Sequence, residues 1–256
     1  MDSGKITTAG GSRRYGILDT VRGVTLLSMM LYHAAWDLVY IYGIKWDWYK
    51  GVGAYIWQQS ICWSFILLSG FCWSMGKRPL KRGLTVFGGG ALVSAVTCVF
   101  MPENRVLFGV LTLTGSCMLL MIPLKRLLKR IPPKAGLVIS ALLFALTRNV
   151  NEGYLGFEAF RIAKLPEGLY RGMLSAYLGF PPRTFFSTDY FSLMPWFFLF
   201  VSGYCLYGIL YRRDRLEASV FFAELKPFGF LGRHSLIIYL LHQPVLYALC
   251  GLVFGF

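Results

Sequence analysis

"LDTVRGVTLLSMMLYHAAWDLVY", residues 18–40, is long and apolar enough for a membrane helix, yet it carries Arg22, His33 and two aspartates, Asp19 and Asp37. A hydrocarbon core about 30 Å thick needs roughly 20 apolar residues per crossing helix. Ionisable side chains at that depth are costly in lipid, and those that occur face a bundle interior or a watery cavity. Their spacing says where they point. At about 100° per residue, the step from Arg22 to His33 ends about 20° from three full turns, so both side chains share a face. Asp19, one turn before Arg22, and Asp37, one turn after His33, join the same stripe. The rise per residue puts His33 roughly 16 Å beyond Arg22, near mid-membrane, and Asp37 about 6 Å farther. The segment is expected to be a membrane helix with a polar ladder along one side.

The rest of the chain supports an all-α, polytopic membrane helix bundle. Of 256 residues, 56% are hydrophobic and 17% aromatic, more than a soluble domain buries. Segments near 19–42, 53–75, 83–101, 105–123, 131–148, 192–211 and 232–254 read as about seven spans. The formal net charge is +14, but the basic residues fall in short clusters between apolar blocks. These are Arg13 and Arg14, "KRPLKR" (77–82), "KRLLKRIPPK" (125–134) and "YRRDR" (211–215). Such clusters read as topology determinants rather than a nucleic-acid footprint, and they place the N-terminus in the cytoplasm and the C-terminus outside. Residues 1–17 are expected to form a cytoplasmic tail without a cleavable signal, and 18–256 a single transmembrane domain.

The outer side then holds "KWDWYK" (45–50), whose neighbourhood suits an aromatic belt, "MPENR" (101–105), and a long connection over about 149–191. Within that connection "GLYRGMLSAYLGF" (168–180) reads as a short interfacial or re-entrant helix. Were it to cross fully, the count would be eight and the last two helices would reverse. The six cysteines lie in apolar blocks without metal-ligand spacing, so neither a metal site nor a disulfide framework is expected. "GGG" (88–90) permits close helix contact, including a homodimer.

Other polar residues cluster around the same bundle. In "LGRHSLIIYLLHQPVLY" (231–247), His242 lies nine residues beyond Arg233, at a depth comparable to His33. Pro244 beside it withholds an N–H from the helix ladder, and Gln243 adds a polar neighbour. His242 lines a site or packs helices. A neutral His33 would serve as a general base, with Asp37 fixing its tautomer, unless Asp37 simply marks the outer interface. Asp189 and Tyr190 precede "SLMPW" (192–196), which brings Trp196, and "ENRVLFGVL" (103–111) brings Asn104 and Arg105 to the same side. Asp189 either caps the following helix or contacts a polar acceptor.

An arginine, ten residues and a histidine in the first span resembles the pattern of acyltransferase-3-type membrane acyltransferases. The wider set, "LDTVRG", "LYHAAWDL", "FGVL", "STDYFSLMPW" and "LGRHSLIIYLLHQP", resembles bacterial proteins grouped with the heparan-α-glucosaminide N-acetyltransferase catalytic domain. The likeness runs from about Leu18 to Tyr247. It implies transfer of an acyl group, acetyl above all, from cytoplasmic acyl-CoA to an amino sugar or sugar hydroxyl beyond the membrane, in a bacterial inner-membrane protein. By position it implies His33 as the catalytic residue. The family's lysosomal branch instead has its reactive histidine in the connection after the first span and asparagine where His33 stands. Here "GIKWDWYKGVGAYIWQQS" (43–60) has no histidine, and Gln59 stands where that branch has an aspartate. The base therefore falls to His33.

Given that resemblance, the expected site comprises His33 and Asp37 for catalysis. Arg22, Lys77, Arg78, Lys81, Arg82 and Arg233 form a cationic rim for the phosphates of acetyl-CoA. Asn104, Arg105, Asp189, Tyr190, Trp196 and His242 line the acceptor side. Expected partners are membrane lipid, acyl-CoA and an extracytoplasmic glycan or small molecule, with no nucleic acid. The competing reading is a proton-coupled transporter or flippase, since intramembrane His and Asp also build proton relays.

Overall fold

A computed structural model describes residues 14–254; Arg13 and most of the expected N-terminal tail lie outside the described residues. The first segment is helical as α1 (Gly16–Trp36) and continues through a π-helical turn, Asp37–Ile41. The combined 26 residues rise about 39 Å, enough to cross a hydrocarbon core. There follow α2 (Val52–Trp73), α3 (Pro79–Phe100), α4 (Val110–Leu128) and α5 (Pro133–Leu146). After the long connection come α7 (Leu193–Arg212), the short α8 (Lys226–Arg233) and α9 (Ser235–Phe254), with α6 (Gly172–Leu178) inside that connection.

Every expected span has its helix, but the helices differ in their fitness to cross. Among the described residues, five are long and apolar enough: Gly16–Ile41, Pro79–Phe100, Val110–Leu128, Leu193–Arg212 and Ser235–Phe254. The protein is thus an integral membrane protein. Helix α2 has 22 residues and no charge, yet Tyr55, Trp57, Gln58, Gln59 and Trp63 make it less apolar than these five. Helix α5 has only 14 residues, about 21 Å of rise, short of the roughly 20 residues a full crossing needs. At seven residues, α6 is far too short to add an eighth span.

Two boundaries move for physical reasons. Helix α4 was expected over 105–123 but starts at Val110, because Phe108 has φ 56° and Gly109 is extended. Its far end runs through Lys125 and Arg126, cations that suit a helix C-terminus and can snorkel to the interface. The last helix was expected from 232, yet the chain breaks at His234, dividing the amphipathic α8 from α9.

Packing sets the frame. Helix α1 lies against α8, α2 and α9, α3 against α4, and α7 against both α2 and α5. Gly70 of α2 and Gly203 of α7 let two backbones nearly touch: a Cβ would come within 1.9 Å of the Phe200 carbonyl oxygen or 2.1 Å of that of Leu67, respectively. Gly90 similarly receives Thr112 of α4, so part of the "GGG" stretch serves contact within the chain. The core joins Leu26, Ile66, Leu113, Met121, Phe144 and Phe200, while Leu92, Phe100, Leu142, Ile237 and Leu252 stay exposed as a lipid-facing surface. The connection after α5 carries a two-stranded antiparallel hairpin, β1 (Tyr154–Phe157) with β2 (Phe160–Lys164).

Candidate active site

The basic residues around the start of α3 converge on one opening. Arg22 of α1, Lys77 and Arg78 from the preceding connection, and Lys81 and Arg82 of α3 line a cavity of about 410 Å³. Beyond this rim the walls become apolar: Phe65 and Cys72 of α2, Val86 of α3, Leu111 and Met118 of α4, and Leu236 and Tyr239 of α9. Pro79 in the first turn of α3, with Arg78 left-handed before it, turns the chain so that the four cations of "KRPLKR" face this mouth. Nη1 of Arg82 is buried without a hydrogen-bond partner, a donor left for an incoming acceptor. Arg22 also pairs with buried Asp19 at 3.3 Å. Arg233 does not join them. It lies in the last turn of α8 and pairs with Glu224, because the break at His234 separates α8 from the cavity-lining α9.

Helices α1 and α9 start near this basic face and meet along the polar ladder. His33 Nδ1 lies 2.8 Å from His242 Nε2, and the two rings stack at 4.9 Å. The network assigns the tautomers. His242 Nδ1 faces the Tyr239 carbonyl oxygen at 2.5 Å; a carbonyl only accepts, so Nδ1 carries the proton and Nε2 a lone pair. His33 must then donate through Nδ1, which leaves its own Nε2 unprotonated. This leaves on His33 a nitrogen with a free lone pair, with a second, 94% buried imidazole behind the ring.

Asp37 does something other than expected. It is fully buried, and its Oδ1 accepts from Gln243 Nε2 at 2.7 Å. The partner that contacts His33 is therefore His242, while Asp37 ties the π-helical turn to α9. Asp37 Oδ2 and Gln243 Oε1 are both buried without partners.

On the opposite face the expected acceptor residues separate into three groups. Asp189 accepts from the backbone N–H of Val110 and receives the Tyr239 hydroxyl at 3.5 Å. It thus caps α4 rather than the following α7, which Ser192 precedes, because the 187–191 segment is laced to 104–108. Thr188 N–H donates to the Arg105 carbonyl and Phe191 N–H to that of Phe108, and the Thr188 hydroxyl donates to the Asn104 carbonyl. Burial pushes the Asp189 carboxyl up to about 6. Asn104 and Arg105 therefore brace this segment through their backbones, with the Arg105 guanidinium 5.8 Å from the Phe186 ring.

Tyr190 lines a second cavity, of about 800 Å³, with Asn151, Tyr154, Tyr170, Arg171 and Phe185. Its hydroxyl is bound to the Ala176 carbonyl, so it presents a fixed ring. Trp196 reaches neither cavity. It is buried against Phe144 and Phe191, with the Arg148 guanidinium 5.2 Å from its ring. Arg148 went unnoticed in the sequence, yet it links α5 to Gln59 at 3.0 Å, Tyr55 at 3.1 Å and Glu158 at 3.1 Å. A lone arginine at the outer end of an apolar segment was the available signal. Tyr239 was also missed, although it stands one turn before His242 on the same helix. Among the described residues no three His, Cys, Asp or Glu side chains converge as a metal would require.

A family model described as "Heparan-alpha-glucosaminide N-acetyltransferase, catalytic" matches residues 14–244. No curated protein and no solved structure matches the chain.

Proposed function

The chain belongs to the heparan-alpha-glucosaminide N-acetyltransferase catalytic family, and from that premise we propose that it is a membrane-bound acyltransferase. It takes an acyl group, acetyl in the first instance, from cytoplasmic acyl-CoA and passes it to an amino-sugar or sugar-hydroxyl acceptor on the far side of a bacterial inner membrane. The observation that carries this reading is the basic-rimmed cavity whose inner wall, Tyr239, touches His242, which in turn meets His33. Lys77, Arg78, Lys81, Arg82 and Arg22 hold the phosphates of CoA as charge-assisted partners. The pantetheine arm follows the apolar walls, which brings the thioester to the Tyr239 end.

His33 then removes the proton from the attacking amine or hydroxyl through Nε2. His242 stabilises the resulting imidazolium by accepting from its Nδ1–H, and the Tyr239 carbonyl holds His242 in that tautomer. General-base assistance of this kind contributes about 10²–10⁴ in rate. The acceptor approaches from the face bearing Asp189 and the second cavity. The transporter alternative gains no support from the family match.

The test uses purified protein in liposomes with labelled acetyl-CoA and glucosamine. The reading expects labelled acetyl-glucosamine and free CoA thiol in equal amounts, both lost in His33→Ala. Transport of glucosamine without any acetylation would overturn it.

A further inference from the structure

Tyr239 is the point where three features meet. Its side chain closes the inner end of the donor cavity beside Phe65 and Leu111. Its ring lies 5.2 Å from that of His242. Its hydroxyl is directed at Asp189 Oδ2, but at 3.5 Å, whereas a well-made O–H···O⁻ bond is about 2.5–2.7 Å long. The hydroxyl is therefore aimed without being held. Because Asp189 caps α4 at Val110, and the next residue, Leu111, lines the cavity, the hydroxyl of Tyr239 lies at this same inner end, beside the start of α4.

The other hydroxyls along the cavity are placed differently. Thr114 Oγ1 is committed to the Val110 carbonyl at 2.7 Å. Ser69 and Thr85 stand one turn from Cys72 and Arg82, toward the rim, and Ser235 begins α9. Around Tyr239 the walls are Phe65, Val86, Leu111 and Leu236, an apolar setting in which an oriented donor acts far more strongly than in water.

We propose that the Tyr239 hydroxyl is a catalytic donor to the thioester carbonyl oxygen: its single proton turns to that oxygen from the long contact with Asp189 Oδ2, and Asp189 is the positioning residue that keeps the phenol oxygen at the cavity's end until substrate arrives. The assignment rests on the acyltransferase reading above. As the acceptor's nitrogen or oxygen bonds to the carbonyl carbon, the C=O electron pair moves onto oxygen, and Tyr239 O–H stabilises that oxyanion while keeping its proton. The pair returns, the C–S bond breaks, and sulfur departs with the bonding electrons. The thiolate takes up the proton that His33 removed from the acceptor, giving CoA thiol and the acylated product.

The experiment uses the full chain in liposomes, with acetyl-CoA and glucosamine as substrates, and Tyr239→Phe and Asp189→Asn as variants. The proposal expects kcat of Tyr239→Phe to fall about 10²–10³-fold, the cost of losing one oxyanion donor, with KM for acetyl-CoA changed less than ~2-fold. Asp189→Asn should lower kcat by a smaller factor with KM equally preserved. Infrared spectra of bound acetyl-CoA labelled with ¹³C at the carbonyl should show a lower stretching frequency in the wild type than in free acetyl-CoA or in Tyr239→Phe. Wild-type kcat in Tyr239→Phe overturns the assignment and leaves the acyltransferase reading standing. An unshifted carbonyl band in the wild type overturns it too, even if the variant fails to fold. A wild-type protein that binds no acetyl-CoA overturns both.

Discussion

His33 and His242, 209 positions apart in sequence, stand 2.8 Å apart through Nδ1 and Nε2, and the Tyr239 carbonyl behind them sets which nitrogen carries each proton. Only His33 Nε2 keeps a lone pair outside this chain of contacts, so the two residues are unequal. His33→Ala should lower acetyl transfer by about 10²–10⁴-fold, the usual scale of general-base assistance. His242→Ala should cost less, about 10–100-fold as for other orienting partners, and chiefly in kcat. Steady-state kinetics with both variants checks the order; equal losses would contradict the assigned tautomers.

The cationic mouth makes a separate prediction about the donor. Replacing Lys77, Arg78 and Lys81 together by Gln removes three of the five cations that line the cavity. Apparent KM for acetyl-CoA should rise about 10-fold or more while kcat is retained, since contacts to remote phosphates bind ground and transition states alike. The difference between variant and wild type should shrink as salt is raised. Arg233→Gln, which alters the Glu224 pair instead, should leave this KM unchanged.

Close helix contact can be tested at two glycines of differing surroundings. A methyl at Gly70 would meet the Phe200 carbonyl oxygen at 1.9 Å, a backbone atom that cannot swing aside. Gly70→Ala should therefore destabilise the fold by about 1–3 kcal/mol, the range for overpacking. At Gly88 nothing lies within 4 Å, and Gly88→Ala should be neutral or slightly stabilising, as expected for replacing glycine within a helix. Unfolding monitored in detergent compares the two.

Asp37 and Gln243 form the clamp between the π-helical turn and α9. Asp37→Ala leaves a buried amide without its acceptor and should cost about 1–3 kcal/mol. Asp37→Asn retains an acceptor oxygen and should cost less. Because Asp37 does not orient His33, Asp37→Asn should keep most of the acetyl transfer, measured in the same assay.

Asp189 gives stability a pH dependence of definite sign. Burial raises its carboxyl from 3.8 to about 6, so the folded state favours the protonated form. That contribution is fully present below the unfolded value near 3.8 and is lost as pH rises through about 6. Asp189→Asn abolishes the titration. The melting temperature of the variant relative to wild type should therefore increase between pH 4 and pH 7, as read by thermal unfolding in detergent.

The polar ladder of α1 was legible because helical periodicity is local: Arg22, His33 and Asp37 lie on one side in any α-helix, and the structure turns that side toward α9. The basic mouth was legible for a similar reason, since four of its five cations sit in one six-residue cluster. Arg233 failed as a member because a break at His234 redirects α8; the polar stretch "GRHS" (232–235) that holds the break also suits the cytoplasmic start of a single unbroken helix. Trp196 failed because the same aromatic suits a site wall and a packed core equally well.

Amphipathic spacing, apolar length and charge clustering by themselves determined that this chain forms membrane helices and which side of the first one is polar. Each of those properties is written in neighbouring residues. Only the tertiary structure decided who meets whom: that His242 rather than Asp37 contacts His33, that Asp189 caps α4, and that Tyr239 lines the basic-rimmed cavity between them. Those contacts join residues tens to hundreds of positions apart, and they depend on helix crossings set by packing of whole surfaces, as where Gly70 and Gly203 admit a facing backbone.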